Sequence, residues 1–211
     1  MIVSSFFSDN KIIFSVYMVC AAIHELGHIF VARIMKIKIQ KISLDFAGAK
    51  IYPTMRIQSY KKEWLLCAAG PFMNILTAFF SVLFVKNVLI QTGHISDTVI
   101  YMLDGVGRLM ETGKRSAVSV SGLFFVLSLF QAIVNLLPIS TLDGGRMTKC
   151  LLASLLNEEG ARRLTSAASF AFALALWMVS VYLLIRTNAG LAVFVFSLCM
   201  FLKIMNSEAE L

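Results

Sequence analysis

An almost wholly apolar run from about Ile12 to Met35 carries His24-Glu25-Leu26-Gly27-His28 in its middle. A helix needs about 20 such residues to cross a bilayer. Ionisable side chains inside one are costly unless a polar cavity or a metal receives them. On a helix, two imidazoles four residues apart project from one face and can grip a single zinc ion. A glutamate beside the first can take a proton from a water held there. In a soluble enzyme that chemistry occupies a wet cleft; here it lies where lipid should be.

The rest of the chain fits the same setting. Of its 211 residues 58% are hydrophobic and only 15% charged, which excludes an ordinary soluble domain. Apolar runs near 12–34, 65–85, 117–137, 167–186 and 189–204 read as membrane spans, the last two forming a tight hairpin. Residues 88–107 are interrupted by Gln91, Gly93, His94, Asp97 and Asp104, and read as an amphipathic or partly inserted segment. The expected fold is an all-α polytopic membrane protein of five to six transmembrane helices. It forms a single domain over 1–211, with no internal repeat or linker.

A net charge of +7 raises the question of nucleic acid, and its distribution answers it. Thirteen of the 19 basic residues fall between the first two spans (Arg33 to Lys62), between the third and fourth (Arg146 to Arg163), or after the fifth (Lys203). These places share one side of the membrane. By the positive-inside tendency they are cytoplasmic, so the N-terminus is expected outside and the C-terminus inside a cell membrane. The charge sets orientation and meets anionic headgroups; no nucleic-acid partner is expected. The N-terminus lacks a basic n-region and a small-residue cleavage site, so no removable signal peptide is expected. Cys20, Cys67, Cys150 and Cys199 lack paired spacing and read as reduced fillers.

After the first span, Ile37-Lys38-Ile39-Gln40 and Ile42-Ser43-Leu44-Asp45-Phe46 alternate apolar and polar residues, followed by Gly48 and Ile51-Tyr52-Pro53. The pattern predicts a short membrane-associated β-hairpin after the motif helix, with an amphipathic connector as the alternative. A free edge there would let an extended peptide add as a further strand.

Catalytic zinc takes three protein ligands and keeps one position open. The span ending near Leu137 runs into Asn135-Leu136-Leu137-Pro138-Ile139-Ser140-Thr141-Leu142-Asp143-Gly144-Gly145. Pro138 should end the helix, and the two glycines allow a sharp turn after Asp143, placing its carboxylate on irregular backbone. Such backbone is tolerated at membrane depth only if it is buried in protein or lines a cavity. This break and the His pair both lie toward the cytoplasmic ends of their spans. Asp143 is therefore the expected third ligand.

These motifs resemble those of the site-2 protease family, intramembrane zinc metalloproteases. His24-Glu25-Leu26-Gly27-His28 matches its zinc motif, and Asn135 to Gly145 resembles its second signature. Ala69-Gly70-Pro71-x-x-Asn74 resembles a third recurring element. The likeness covers roughly residues 12–146; the C-terminal hairpin, about 167–204, matches only in being hydrophobic. Many relatives have further prolines between Pro138 and Leu142, where Ser140 and Thr141 stand here.

The resemblance implies Zn2+ held by His24, His28 and Asp143, with Glu25 as general base. It implies that Asn135 holds the substrate backbone or the developing oxyanion. The substrate would be a transmembrane or membrane-associated protein, whose helix must unwind before its carbonyls can be attacked. No PDZ or CBS domain of the kind found in many relatives is expected, and a regulatory membrane protein is the expected source of gating or substrate choice; a bacterial cell membrane is the expected setting.

Blander roles stand beside these. Asp143 can serve as a turn residue or helix N-cap, and Asn135 and Asn74 as interhelical hydrogen-bonders. A catalytically silent relative acting as a chaperone or scaffold would lack a ligand or the base, and none is missing. A transporter would show paired broken helices, and only one break is evident.

Overall fold

The computed structural model describes residues 11–37, 39–45, 48–53, 59–90, 94–112, 116–186 and, within 194–205, all but 196, 200 and 203. In chain order the elements are α1 (Lys11–Ile34), β1 (Ile39–Asp45), β2 (Gly48–Pro53), α2 (Tyr60–Phe84), α3 (Ile95–Thr112), α4 (Ala117–Leu136), α5 (Asp143–Leu155) and α6 (Glu158–Arg186). A π-helical stretch, Val85–Ile90, prolongs α2.

Among the described residues, four helices are long and apolar enough to cross a membrane: α1, α2 with its extension to Leu89, α4 and α6. The expectation of five to six is not met among the described residues, for two reasons. The fifth expected span, 189–204, falls in good part outside those residues. The segment 88–107 contributes α3, whose Asp97, Asp104, Arg108 and Glu111 make it too polar to cross. Thr98, Met102, Gly105 and Leu109 form its buried stripe at spacings of four, three and four, while Asp104 and Arg108 pair at 2.7 Å on the exposed face.

The chain divides into two compact units, Met1–Gly27 with Gly70–Val134, and His28–Ala69 with Asn135–Leu211. In the first, Val16 and Cys20 of α1 bury against Leu109 of α3 and Leu123 of α4. A second cluster joins Val82 and Val85 to Met102. Gly122 allows α4 to approach α3, since a Cβ there would lie 2.6 Å from the Met102 carbonyl oxygen. The Ser128 hydroxyl donates to Cys20 Sγ at 3.2 Å, which makes Cys20 part of this packing. All four cysteines are free.

In the second unit, β1 and β2 pair antiparallel, with Ile42 opposite Ile51 and Leu44 opposite Ala49, and an irregularity between Ile39 and Lys41. The pairing follows the alternation read from the sequence, with Pro53 at a strand end, where its missing N–H costs least. The α1 helix closes with a paired cap: Ile37 N–H donates to Ala32 O and Lys36 N–H to Arg33 O, with Lys36 at φ 56°. Glycine usually occupies that left-handed position, because a Cβ there is strained. Lys36→Gly is therefore expected to raise stability by up to about 1 kcal/mol, read as a higher midpoint of thermal unfolding in detergent. Phe201 stacks on Trp177 of α6 at 6.3 Å between ring centroids, and Ser180 and Ser197 share a 2.7 Å hydrogen bond.

Candidate metal centre

His24 and His28 lie one turn apart on α1, and both are buried. Leu26 and Phe30, on the opposite side of the same turns, are more than half exposed, as a lipid-facing stripe would be. Glu25 follows His24 and is half-buried. The helix thus turns its imidazoles inward and its large apolar groups outward.

The His28 ring is held from both ends. Its Nδ1 lies 2.7 Å from the backbone oxygen of Leu66 on α2, and its Nε2 lies 3.1 Å from Asp143 Oδ2. A carbonyl oxygen can only accept, so Nδ1 must carry the hydrogen. In the neutral ring, Nε2 then presents a lone pair to a carboxylate oxygen. Two such atoms repel at 3.1 Å unless something positive lies between them. Leu66 lies on α2, and its carbonyl oxygen has two lone pairs, so it can take the ring N–H beside a bond within the helix.

His24 is oriented by Asn74, a wholly buried residue whose amide nitrogen is 3.1 Å from His24 Nδ1. With the NH2 group donating, Nδ1 accepts and the ring hydrogen sits on Nε2. Turned about its Cγ bond, the amide presents Oδ1 instead and accepts from Nδ1–H. Only this second arrangement leaves Nε2 free to ligate. Asn74→Leu is accordingly expected to lower zinc affinity by about tenfold, while Asn74→Asp, which still accepts, keeps it near wild type in a chelator competition.

Asp143 is the first residue of α5, with Leu142 at the N-cap position. This corrects the expectation of a sharp turn after Asp143, and it sets aside the alternative in which Asp143 is itself the cap. Neither Gly144 nor Gly145 has a left-handed φ; both are needed for close approach. A Cβ on Gly144 would collide with the Leu136 carbonyl, and one on Gly145 with the Ile139 carbonyl. The glycines let the first turn of α5 lie directly on the backbone leaving α4, and that contact sets the height of the carboxylate. Pro138 lies just past Leu136, the last residue of α4, as its chemistry requires.

His24, His28 and Asp143 can each offer one ligand atom, and those atoms all lie within 4.8 Å of one another. Zinc ligands at about 2.0–2.1 Å in tetrahedral array stand about 3.3 Å apart. The His28–Asp143 separation is already near that value. A proton would satisfy this pair alone, whereas a divalent cation would engage all three donors. Two imidazoles and a carboxylate suit zinc, so the donor set fits.

The chain's match to known proteins follows the same residues. A profile of peptidase family M50 matches residues 12–179, most of the chain and every residue of this cluster. The chain belongs to peptidase family M50. This is the site-2 protease family of membrane metallopeptidases. None of the curated proteins matches the chain.

Asn135, expected at the substrate backbone, sits half-buried in the last turn of α4. The Leu66 carbonyl carries no sequence signal, because any residue supplies one. Asn74 had a signal, in the Gly-Pro-x-x-Asn element. Arg146, counted in the sequence only as a charge setting orientation, pairs with Glu63 at 3.4 Å in a half-buried position. Beside that pair the Cys150 thiol is pushed up to about 11, first by burial and then by Glu63, so it stays neutral and is a poor metal ligand.

Proposed function

We propose that this M50 chain is a zinc-dependent intramembrane endopeptidase that hydrolyses peptide bonds of membrane-spanning or membrane-associated proteins. The observation that carries the reading is the His28 ring, whose Nδ1 is committed to the Leu66 carbonyl while Nε2 faces the Asp143 carboxylate at 3.1 Å.

His24, His28 and Asp143 would hold the ion, and Leu66 and Asn74 would fix the two rings. Zinc bound there supplies Lewis acidity, which brings the pKa of water toward ~7 and polarises the scissile carbonyl. Glu25 takes the proton of the attacking water and passes it to the leaving amine as the C–N bond breaks. Asn135 steadies the substrate backbone or the oxygen that gains charge. Residues around Leu26 and Phe30 stay in lipid and keep bulk water from that side.

The substrate arrives in the bilayer and must unwind, because a helix hides its carbonyls. The hairpin β1–β2 lies at the interface, and its edge receives the extended segment as an added strand. The N-terminus faces outward and the C-terminus the cytoplasm of a bacterial cell membrane, as the basic residues after α1 indicate. A separate membrane protein gates access.

Purified wild-type protein is expected to carry one equivalent of zinc and to cleave a co-expressed membrane substrate, with cleavage lost on chelation and regained with added zinc. Substoichiometric zinc with undiminished cleavage would sink the reading. Full zinc without cleavage of any membrane substrate would favour a silent scaffold.

A further inference from the structure

We infer that Ser169 is a positioning residue for Asp143, acting through the Pro138–Leu142 turn; the inference rests on Asp143 being a metal ligand. Asp143 opens α5, and the residue at the N-cap position does not hold the start of that helix through its side chain. Leu142 occupies the N-cap position, where its apolar side chain makes no cap hydrogen bond. Serine, threonine, aspartate or asparagine normally fixes that end. Another device must set where α5 begins.

The turn supplies part of it. Ile139 N–H donates to Leu137 O at 2.7 Å and Leu142 N–H to Ile139 O at 2.8 Å. Ser140 N–H leaves the turn and donates to Ser169 Oγ on α6 at 2.8 Å. Ser169 is wholly buried, and its hydroxyl donates to Thr165 O one turn back at 2.6 Å, leaving its lone pairs for Ser140. The same oxygen lies 3.4 Å from the Pro138 carbonyl. One side chain of α6 therefore meets both Pro138 and Ser140.

A displacement there reaches the carboxylate directly. The first turn of α5 rests on the carbonyls of Leu136 and Ile139 with no room for a Cβ at Gly144 or Gly145. A turn that loses its tie to α6 carries Asp143 with it, since the glycine contacts allow no slack. Loss of the Ser169 oxygen also leaves the half-buried Ser140 N–H without its partner, and such a donor drives local rearrangement.

The test uses the full chain in detergent and two isosteric variants, Ser169→Thr and Ser169→Val, which differ only in the hydroxyl. Zinc affinity is measured by competition with a chromophoric chelator. Hydrogen exchange of the 138–143 segment is measured on metal-free protein. Ser169→Thr is expected to keep affinity within about threefold of wild type, whereas Ser169→Val loses about tenfold and exchanges faster at Ser140. Adding Ser140→Pro, which removes the stranded N–H, should return the Ser169→Val protein toward wild-type affinity. Equal affinity and exchange in the Thr and Val variants overturns the inference, as does a Ser140→Pro background in which Ser169→Val still costs tenfold. Wild-type protein that binds no zinc fails the proposed function instead, and the exchange measurement still decides whether Ser169 holds the turn.

Discussion

Glu25→Gln is expected to retain a full equivalent of zinc while cleavage of a membrane substrate falls by at least about a hundredfold, the lower end of what a positioned general base contributes. The carboxamide keeps the size and burial of the side chain but cannot take a proton. Glu25 is not one of the three residues that can offer the ion a ligand atom, so the metal content should not change. Zinc analysis and cleavage on the same preparation separate the two roles. Unchanged processing removes Glu25 from the chemistry; loss of zinc makes it a structural partner of His24.

Asp143→Ala is expected to reduce zinc affinity by more than about a hundredfold, beyond the range seen when only an outer partner of a ligand is lost. The reason is local. With the carboxylate gone, the oxygen that faces His28 Nε2 at 3.1 Å is lost as a ligand, and two imidazoles on one helix remain to hold the ion. Asp143→Glu tests position against charge: the extra methylene moves the carboxylate by more than the glycine-packed turn allows, so affinity should fall although charge is kept. An alanine variant that holds zinc as tightly as wild type would falsify the assignment of the third ligand.

Much of this arrangement was legible in the sequence because it rests on side-chain type and spacing. The His pair, the break at Pro138 and the alternation from Ile39 to Pro53 are local patterns with local causes. The start of α5 was misread because two consecutive glycines commonly mark a turn, and only the nearness of the Leu136 and Ile139 carbonyls shows that they serve packing within a helix. The polarity that sets α3 apart from the spans was visible, but the partners of its buried face, Val82, Val85 and Leu123, are encoded in no single segment. The Leu66 carbonyl and the Ser169 hydroxyl were hidden for different reasons. The first is common to every residue, and the second lies 29 positions from its partner on an otherwise unremarkable helix.

That dependence on a main-chain oxygen has a genetic corollary. Point substitutions at position 66 leave the acceptor for His28 in place, so the codon should tolerate many apolar replacements without loss of metal. A single-codon deletion just before it turns the remainder of α2 by about 100° against its neighbours and swings the Leu66 oxygen out of line with the ring. In a scan of the gene, this stretch should accept swaps and reject frame-preserving indels, a signature opposite to that of a side-chain ligand.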